Sequence, residues 1–440
     1  MDRWLSFALL LAGVASAIRH PPWLPAWAGP VLAVLADIAI GVTGPDRSAR
    51  AVHPLVQPVA FLLAAVPLAV MLDELGFFRA VAARVNRRGG GPGYLWALAA
   101  VVTTVLNLDA GVVLLTPLYV RVAHQRGWDP LVLAAQPVLL ACLASSALPV
   151  SNLTNLIAVS WAGASTAQFV THLALPSLAA SVVGWWCYHR WCAAGLQAGS
   201  TGAAAPGGRR RPGRSRRPSA GAGSDGPEER YALRVGGSVV GGVLVGFTCG
   251  PLVGVQPWAV AFVADVFLAV LVTRAVARRS GGGTGAWWKA RTWASLPWRA
   301  VPVGTAIMVF GLGVLATGAT RYLPTGQLLR GASLPSLARE TGLAALAANL
   351  VNNLPALLVA LPKLGHRPGP ELWAVLLGVN MGPVLLVTGS LASLLWMSTL
   401  RRLGVGVGPV DFSRFGLRSA LPGAAAALGV ALLLRAAGLH

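Results

Sequence analysis

Charged residues are scarce in this chain of 440 residues, of which only 11% are Asp, Glu, Lys or Arg. An ordinary soluble domain carries about 25%. Hydrophobic residues make up 55% of the sequence, and the mean hydropathy is +0.66. Because so few charges cannot cover a water-facing surface of this size, the composition excludes an ordinary soluble enzyme. It predicts an all-α polytopic membrane protein.

Acidic residues and lysines are rarer still. There are 14 Asp and Glu against 35 Lys and Arg, which gives a net charge of +21, and Lys289 and Lys363 are the only lysines. In a soluble protein this excess would indicate nucleic-acid binding. In a membrane protein, basic residues collect in cytoplasmic loops. We therefore predict no nucleic-acid partner and use the arginines to orient the chain.

Other absences narrow the class of function. Four cysteines are too few for a disulfide scaffold, and their spacing does not suit a structural zinc site. The sequence contains no GxxxxGK(S/T), HExxH or GxSxG motif, which are signatures of nucleotide hydrolysis and of two hydrolase classes. We therefore predict that the chain is not an enzyme and holds no cofactor or metal.

Apolar runs of the length needed to cross a bilayer recur in two sets. The first set lies in 1–194 and the second in 231–440, and the segment between them, 195–230, is rich in Arg, Gly and Pro. We predict two transmembrane repeats joined by a cytoplasmic linker. The runs cover about 4–18, 29–44, 54–76, 94–122, 131–164, 169–187, 231–249, 257–273, 300–318, 338–362, 371–400 and 414–436.

The two sets of runs resemble each other, which indicates an internal duplication. Three segments of the first set match three of the second in the same order. The segment around Asp37 matches the segment around Asp265. The segment that starts at Val105 matches the one that starts at Asn349, and the segment that starts at Leu148 matches the one that starts at Leu385. Such duplication is typical of secondary transporters.

Polar stretches interrupt two apolar runs in each half. The run 94–122 is interrupted at 107–111 and has basic residues beyond both ends, which predicts a re-entrant hairpin that enters from the cytoplasm. The run 131–164 is interrupted at 149–155, which we interpret as one crossing by a broken helix. The same pair recurs over 338–362 and 371–400. Each half then has about five crossings, and this odd number makes the halves inverted repeats.

Five carboxylates lie in or beside apolar runs, where a charge costs about 2.5–3.5 kcal/mol even on the gentler insertion scale. Asp109, at the first hairpin tip, is the strongest candidate for carrying a proton. Asp73, beside Glu74, is a second proton-coupling candidate, and an interfacial structural role suits it equally. Asp37 and Asp265 are expected to be hydrogen-bonded between helices. The other acids are assigned to loops or span ends: Asp2, Asp46, Asp129, Asp225, Glu228, Glu229, Glu340, Glu371 and Asp411.

Amide and hydroxyl side chains cluster at the same interruptions. They donate and accept hydrogen bonds, so they suit a neutral hydroxylated solute or a partly dehydrated ion. They would equally satisfy backbone groups freed by broken helices. No Arg or Lys lies in these clusters, so an anion would rely on helix N-termini or a bound cation. The set comprises Asn107, Ser151, Asn152, Thr154, Asn155, Asn349, Asn352, Asn353, Asn380, Thr388 and Ser390.

The segments that carry these groups resemble the arsenical pump membrane protein (ArsB-type) family of the ion transporter superfamily. The resemblance implies export of arsenite and antimonite across the cell inner (cytoplasmic) membrane, coupled to inward proton movement. It also implies two inverted repeats that meet at the substrate site, and association in some systems with a separate soluble ATPase. The segments are MLDELGFFRAVAARV (71–85), NLDAGVVLLTP (107–117), LPVSNLTNLIA (148–158), NLVNNLPALLV (349–359) and GVNMGPVLLVTGSLASLLW (378–396).

Carried over residue by residue, the resemblance assigns the site to two hairpin tips and two unwound segments. The first tip has Asn107 and Asp109, and the first unwound segment has Ser151, Asn152, Thr154 and Asn155. The second tip has Asn349, Asn352 and Asn353, and the second unwound segment has Thr388, Gly389 and Ser390.

Two positions depart from the family pattern. Asn380 stands where the family often has Asp, and Leu108 separates Asn107 from Asp109 where Asn-Asp-Gly is usual. If the missing acid normally helps in proton coupling, that role falls on Asp109. Cys142 is the only cysteine near the proposed site, so three thiolates are not available to bind arsenic.

Two other functions fit the sequence. A superfamily relative would symport Na+ with a small anion such as a dicarboxylate, which the lack of a basic residue at the site disfavours. A membrane scaffold would bind a partner through the Arg-rich linker. Deletion of 200–226 would abolish the function of a scaffold and would be tolerated by a transporter. The sequence favours no particular oligomeric state.

Overall fold

Helices are the regular secondary structure in the part of the chain that the computed structural model describes, and no β-strand occurs there. The prediction of an all-α polytopic architecture is confirmed. Most of the predicted linker and of the basic stretch before residue 300 lies outside the described residues. Those are 2–19, 24–41, 43–87, 91–196, 226–279, 296, 301–320 and 331–438.

The first half of the molecule runs from α1 to α10. Pro45, Pro92 and Pro130 begin three of its helices. Proline lacks a backbone N–H, and this costs nothing in the first helical turn, where N–H groups have no partner within the helix. The helices are α1 (Asp2–Arg19), α2 (Ala28–Ala39), α3 (Pro45–Val52), α4 (Val56–Glu74), α5 (Phe77–Arg87), α6 (Pro92–Val105), α7 (Leu108–Arg126), α8 (Pro130–Leu143), α9 (Leu153–Ala162) and α10 (Thr166–Cys192).

The second half runs from α11 to α19. A short π-helix, Gly416–Ala420, joins its last two helices. The helices are α11 (Pro227–Cys249), α12 (Pro257–Arg279), α13 (Val303–Thr320), α14 (Leu334–Val351), α15 (Asn353–Leu364), α16 (Pro370–Met381), α17 (Leu391–Arg402), α18 (Pro409–Phe415) and α19 (Leu421–Ala436).

Each half contains a helical hairpin followed by a broken helix. One or two residues separate α6 from α7 and α14 from α15. The hydroxyl of Tyr119 donates to the carbonyl of Leu95, and both residues are equally far from the tip, so α6 and α7 run antiparallel. Short 3-10 helices, Pro149–Ser151 and Val387–Gly389, interrupt α8–α9 and α16–α17. The inversion of the two halves across a membrane stays a prediction.

Helix length indicates that the two helices on either side of a break cross the membrane together. The 14 residues of α8 and the 10 of α9 rise together by about 36 Å, enough for a hydrocarbon core of about 30 Å, whereas neither helix alone reaches it. Four described helical stretches are long and apolar enough to cross a membrane by themselves: Pro45–Glu74, Thr166–Cys192, Pro257–Arg274 and Pro409–Ala436.

The two halves pack tightly against each other. In particular, α10 packs against α19, α4 against α12, and α7 against α17. A Cβ added at Gly423 would stand 2.6 Å from the carbonyl oxygen of Ala180, so glycine permits the close approach of α19 to α10. Gly378 does the same between α16 and α14, where a Cβ would stand 2.4 Å from the carbonyl of Thr341. This packing brings both hairpins and both breaks into one region.

Candidate functional site

The first hairpin turns at Asn107, whose backbone has φ +148° and ψ +151°, a strained region for a residue with a side chain. Its Oδ1 accepts a hydrogen bond of 2.8 Å from the N–H of Asp109 and so caps α7. The predicted interruption at 107–111 is therefore shorter than expected. Asp109 already lies in the first helical turn, half-buried, where the helix dipole favours a negative charge.

The first break is fastened to the hairpin by Thr104. Its Oγ1 donates to the carbonyl of Ala144 at 3.2 Å, and its own carbonyl accepts from Oγ of Ser151 at 2.7 Å. Both ends of the unwound stretch are thus bound to α6. These bonds satisfy backbone groups that the break removes from the helix.

Asn152 ends the first break by capping α9. Its Oδ1 accepts from the N–H of Thr154 at 3.2 Å. Thr154 and Asn155 were predicted to lie in the unwound segment, and this prediction is wrong. Both lie in the first turn of α9, because the cap at Asn152 starts the helix there.

The second break is fastened by Asn349, in the last turn of α14. Its Nδ2 donates to the carbonyls of Ala345 and Gly382 at 2.9 and 2.6 Å. Its Oδ1 accepts from the N–H groups of Leu385 and Leu386 at 3.1 and 3.0 Å. Asn349 therefore uses its whole amide to hold the backbone of the break.

The second hairpin turns at Asn352, with φ +79°. Its Oδ1 accepts from the N–H of Leu354 at 3.2 Å and its Nδ2 donates to the carbonyl of Thr388 at 3.2 Å. Asn353 begins α15. Gly389 lies in the short 3-10 helix, and Ser390 caps α17 by accepting from the N–H of Ala392.

A buried amide network joins the first break to α16. Oδ1 of Asn380 accepts from Nδ2 of Asn152 at 3.1 Å and from Oγ1 of Thr154 at 2.6 Å. Its Nδ2 donates to Oδ1 of Asn155 at 2.6 Å. Asn155 in turn donates to the carbonyls of Ser145 and Leu148 at 2.7 and 3.0 Å. Side chains predicted to bind substrate are therefore engaged with one another in this conformation.

Several buried polar atoms near the tips and breaks have no hydrogen-bond partner among the described residues. Buried polar groups are normally paired, so these atoms mark where a polar substrate, a water or a proton would complete the structure. Five are in the first half, and the sixth is on α17, which packs along α7. They are Oγ1 of Thr103, Nδ2 of Asn107, Oδ1 of Asp109, and Oγ of Ser145, Ser146 and Ser393.

The two predicted proton-coupling carboxylates do not come together. Asp73 lies half-buried near the end of α4, where the charges of Arg79 and Arg121 act on it. Arg121 is twelve residues beyond Asp109 on α7, which is about 18 Å along the helix. Asp109 is therefore the carboxylate at the tip, and Asp73 belongs to a charged group at the other end of the hairpin.

Glu340 corrects the sequence interpretation, which assigned it to a loop or span end. It lies in the second turn of α14 with 0% of its surface exposed. Neither carboxylate oxygen has a hydrogen-bond partner among the described residues. The adjacent Arg339 is typical of a span end, but α14 packs closely on α16 here, where Thr341 donates to the carbonyl of Ala374.

Asp37 and Asp265 were expected to be hydrogen-bonded between helices. Asp37 is only 1% exposed, and its Oδ2 has no partner among the residues that the structure describes. The same holds for Oδ1 of Asp265. Within the described part of the chain, these two oxygens therefore lack the expected hydrogen bonds.

Two kinds of site residue escaped the sequence interpretation. Thr104 stands three residues before Asn107, as Asn349 stands three residues before Asn352, so the internal repeat contained the signal. Ser145 and Ser146 contained none, because a serine in an apolar helix is usually satisfied by its own backbone. Their importance follows only from the break that begins beside them.

Cys142 and Trp396 make contacts between the two halves. Sγ of Cys142 lies 3.8 Å from the carbonyl of Pro383 at the second break. Nε1 of Trp396, fully buried on α17, donates to the carbonyl of Ala134 on α8 at 2.7 Å. The cysteine is thus a small packed residue in this arrangement.

Comparison with known proteins agrees with this architecture. The profile of the family described as CitMHS, citrate transporter, matches residues 7–378. The chain belongs to this family. The CitMHS match and the helical architecture indicate a multi-pass membrane protein, and they favour a transporter over an enzyme.

Curated relatives extend over nearly the whole chain. The arsenical pump membrane proteins of Escherichia coli strain K12 and of Shigella flexneri are each 25% identical to this CitMHS chain, over 95% of it and 96% of the relative. The protein of the same name from Yersinia enterocolitica is 24% identical over 82% of this chain and 83% of its own. The resemblance read from the motifs is therefore confirmed.

Proposed function

We propose that this chain is a proton-coupled secondary transporter that exports arsenite and antimonite across the cytoplasmic membrane. The observation that carries the proposal is the group of buried polar atoms around Asp109 that have no hydrogen-bond partner among the described residues. Arsenous acid is mostly uncharged at neutral pH and carries three hydroxyls, and each hydroxyl donates and accepts hydrogen bonds. Amide, hydroxyl and carboxyl groups that have no other partner can hydrogen-bond such an uncharged solute, and no Arg or Lys is needed to bind it.

Asp109 is the group we assign to the proton. A charged carboxylate in an apolar setting is costly, and protonation removes that cost. The proton would therefore bind when the tip faces the acidic side and leave when it faces the cytoplasm. Arsenite would move in the opposite direction, because its hydroxyls compete with the proton for the same carboxylate and its neighbours.

The names of the relatives support the substrate class, and the match over almost their full length supports the same transport architecture. A soluble ATPase partner is part of the proposal only as an auxiliary. The pH gradient alone would drive transport in this chain.

The test is uptake of radiolabelled arsenite into inside-out membrane vesicles with an acidic lumen. We expect accumulation that a protonophore abolishes and that vesicles lacking the chain do not show. Antimonite should compete. Uptake equal to that of the empty vesicles under every gradient would refute the proposal.

Symport of Na+ with a small anion is the second candidate. The family description supports it, as do the N-termini of α9 and α17, which start at the two breaks and which favour anions. Right-side-out vesicles with an imposed Na+ gradient and labelled citrate distinguish the candidates. Na+-driven citrate uptake without arsenite transport would establish the symporter.

A further inference from the structure

A cavity of about 470 Å³ lies apart from the helix breaks, among α3, α13, α15 and the end of α9. Arg47 and Arg50 of α3 and Lys363 of α15 line it, with Trp161 at its side. No residue that lines it within the described chain is acidic. Three cations around one small space repel each other, so a bound anion would relieve that repulsion.

A buried hydroxyl adds a second, independent indication. Thr43 lines the same cavity, is only 1% exposed, and its Oγ1 has no hydrogen-bond partner in the described part of the chain. The carboxylate of Asp37 lies near the same hydroxyl, because a Cβ placed on Gly318 would stand 2.8 Å from Oγ1 of Thr43 and 3.6 Å from Oδ1 of Asp37. Asp46, exposed on α3 next to Arg47, is a second acid in this region, and its backbone carbonyl accepts from Nε of Arg50 at 3.3 Å. Two carboxylates against three cations still leave the cavity positive.

We propose that this cavity binds a small anion that presents at least two oxygens, held by Arg47, Arg50, Lys363 and the hydroxyl of Thr43. A guanidinium presents paired N–H donors that match two oxygens of such an anion, and an ammonium adds a point charge. The phosphate, sulfate and dicarboxylate groups all meet this description, and a phospholipid headgroup offers the same chemistry.

The location gives the anion a regulatory consequence. Arg47 and Arg50 belong to the first half of the molecule, whereas Lys363 ends the second hairpin. A ligand that contacts all three stabilises the arrangement in which α15 lies beside α3, relative to any arrangement that separates them. Occupancy would therefore slow a transport cycle in which that hairpin moves.

The test is isothermal titration of the purified full chain with sulfate, and separately with succinate, at constant ionic strength. Arg50→Gln and Lys363→Gln should each weaken binding by about tenfold. Arg50 is exposed and Lys363 half-buried, so both variants should fold. Arg414→Gln, at an exposed arginine on α18, is the matched control and should bind as the wild type does.

A third titration identifies the source of the anion. If phosphatidylglycerol in nanodiscs displaces sulfate from the wild type but not from Arg50→Gln, a lipid headgroup fills the cavity and the oxyanion site stands. Equal affinity for sulfate in all four proteins, or equal affinity for chloride and sulfate in the wild type, would overturn the proposal. Neither result depends on arsenite transport.

Discussion

The two hairpin tips have similar backbones and differ in what their side chains have left to bind. Both turn at an asparagine with positive φ that caps the following helix through Oδ1. At the second tip, Nδ2 of Asn352 donates to the carbonyl of Thr388. At the first tip, Nδ2 of Asn107 has no partner among the described residues. Two residues further on, the first tip has Asp109 where the second has Leu354.

This difference separates structural from chemical roles. A satisfied polar network makes a region rigid, whereas an unsatisfied buried group costs free energy until a ligand pairs with it. Asn349 and Asn352 use their amides to hold the second break together. At the first tip, Nδ2 of Asn107 and Oδ1 of Asp109 have no partner among the described residues, so we place the substrate and the proton there.

The largest expected effect comes from removing the one carboxylate that distinguishes the tips. Asp109→Asn should abolish arsenite uptake driven by a pH gradient, because the amide cannot take up and release a proton. Inside-out vesicles measure this. Asp46→Asn, at an exposed carboxylate on α3, is the control and should transport normally. Full gradient-driven uptake by Asp109→Asn would remove Asp109 from the mechanism.

Asn380→Ala should give the largest loss of stability, roughly 3 kcal/mol of unfolding free energy, because it removes the buried acceptor of Asn152 Nδ2 and Thr154 Oγ1 and the buried donor to Asn155 Oδ1. Denaturant unfolding in detergent measures this. Ser393→Ala is a matched control, since its Oγ has no partner among the described residues, and its stability should stay within about 0.5 kcal/mol of the wild type. Similar losses in both variants would contradict the network.

Asn349 and Thr104 each hold one break in place, and the loss of stability on removing each side chain should follow the number of hydrogen bonds that it makes. Asn349→Ala should cost about 2 kcal/mol, since it frees the carbonyl of Gly382 and the N–H groups of Leu385 and Leu386. Thr104→Val removes one hydrogen bond and should cost about 1 kcal/mol. Thermal unfolding of the two variants side by side tests the order. A larger loss in Thr104→Val would mean that the first break is the more rigid one.

Replacing Asn107 or Asn352 by glycine should change stability least, and the two variants compare the two hairpin turns directly. Asn107→Gly relieves a backbone strain of about 1–3 kcal/mol and loses a cap, so its stability should match or exceed that of the wild type. Asn352→Gly also loses the bond to Thr388 and should be the less stable of the two. If Asn107→Gly is stable yet transports poorly, its Nδ2 serves the substrate. If it transports normally, the amide only caps α7.

The sequence by itself determined the order of hairpins and broken helices. A polar stretch within an apolar run marks the point where a membrane helix is interrupted, and the repeat of that signal showed it twice. The tips were predicted within a few residues, with Asn107 and Asn352 at the turns. The starts of the helices were missed at Thr154, because a capping side chain sets the first turn and its choice of partner is not a property of spacing.

Only the tertiary structure decided which polar groups are engaged and which are unpaired. Asn380 lies 225 residues from Asn155, and Glu340 becomes buried through the packing of α14 against α16. A hydrogen bond needs a partner at a given distance and angle, and the chain supplies those partners only once the two halves have packed. The same amides that the sequence assigns to the substrate therefore divide into a satisfied network around Asn380 and an unpaired group around Asp109.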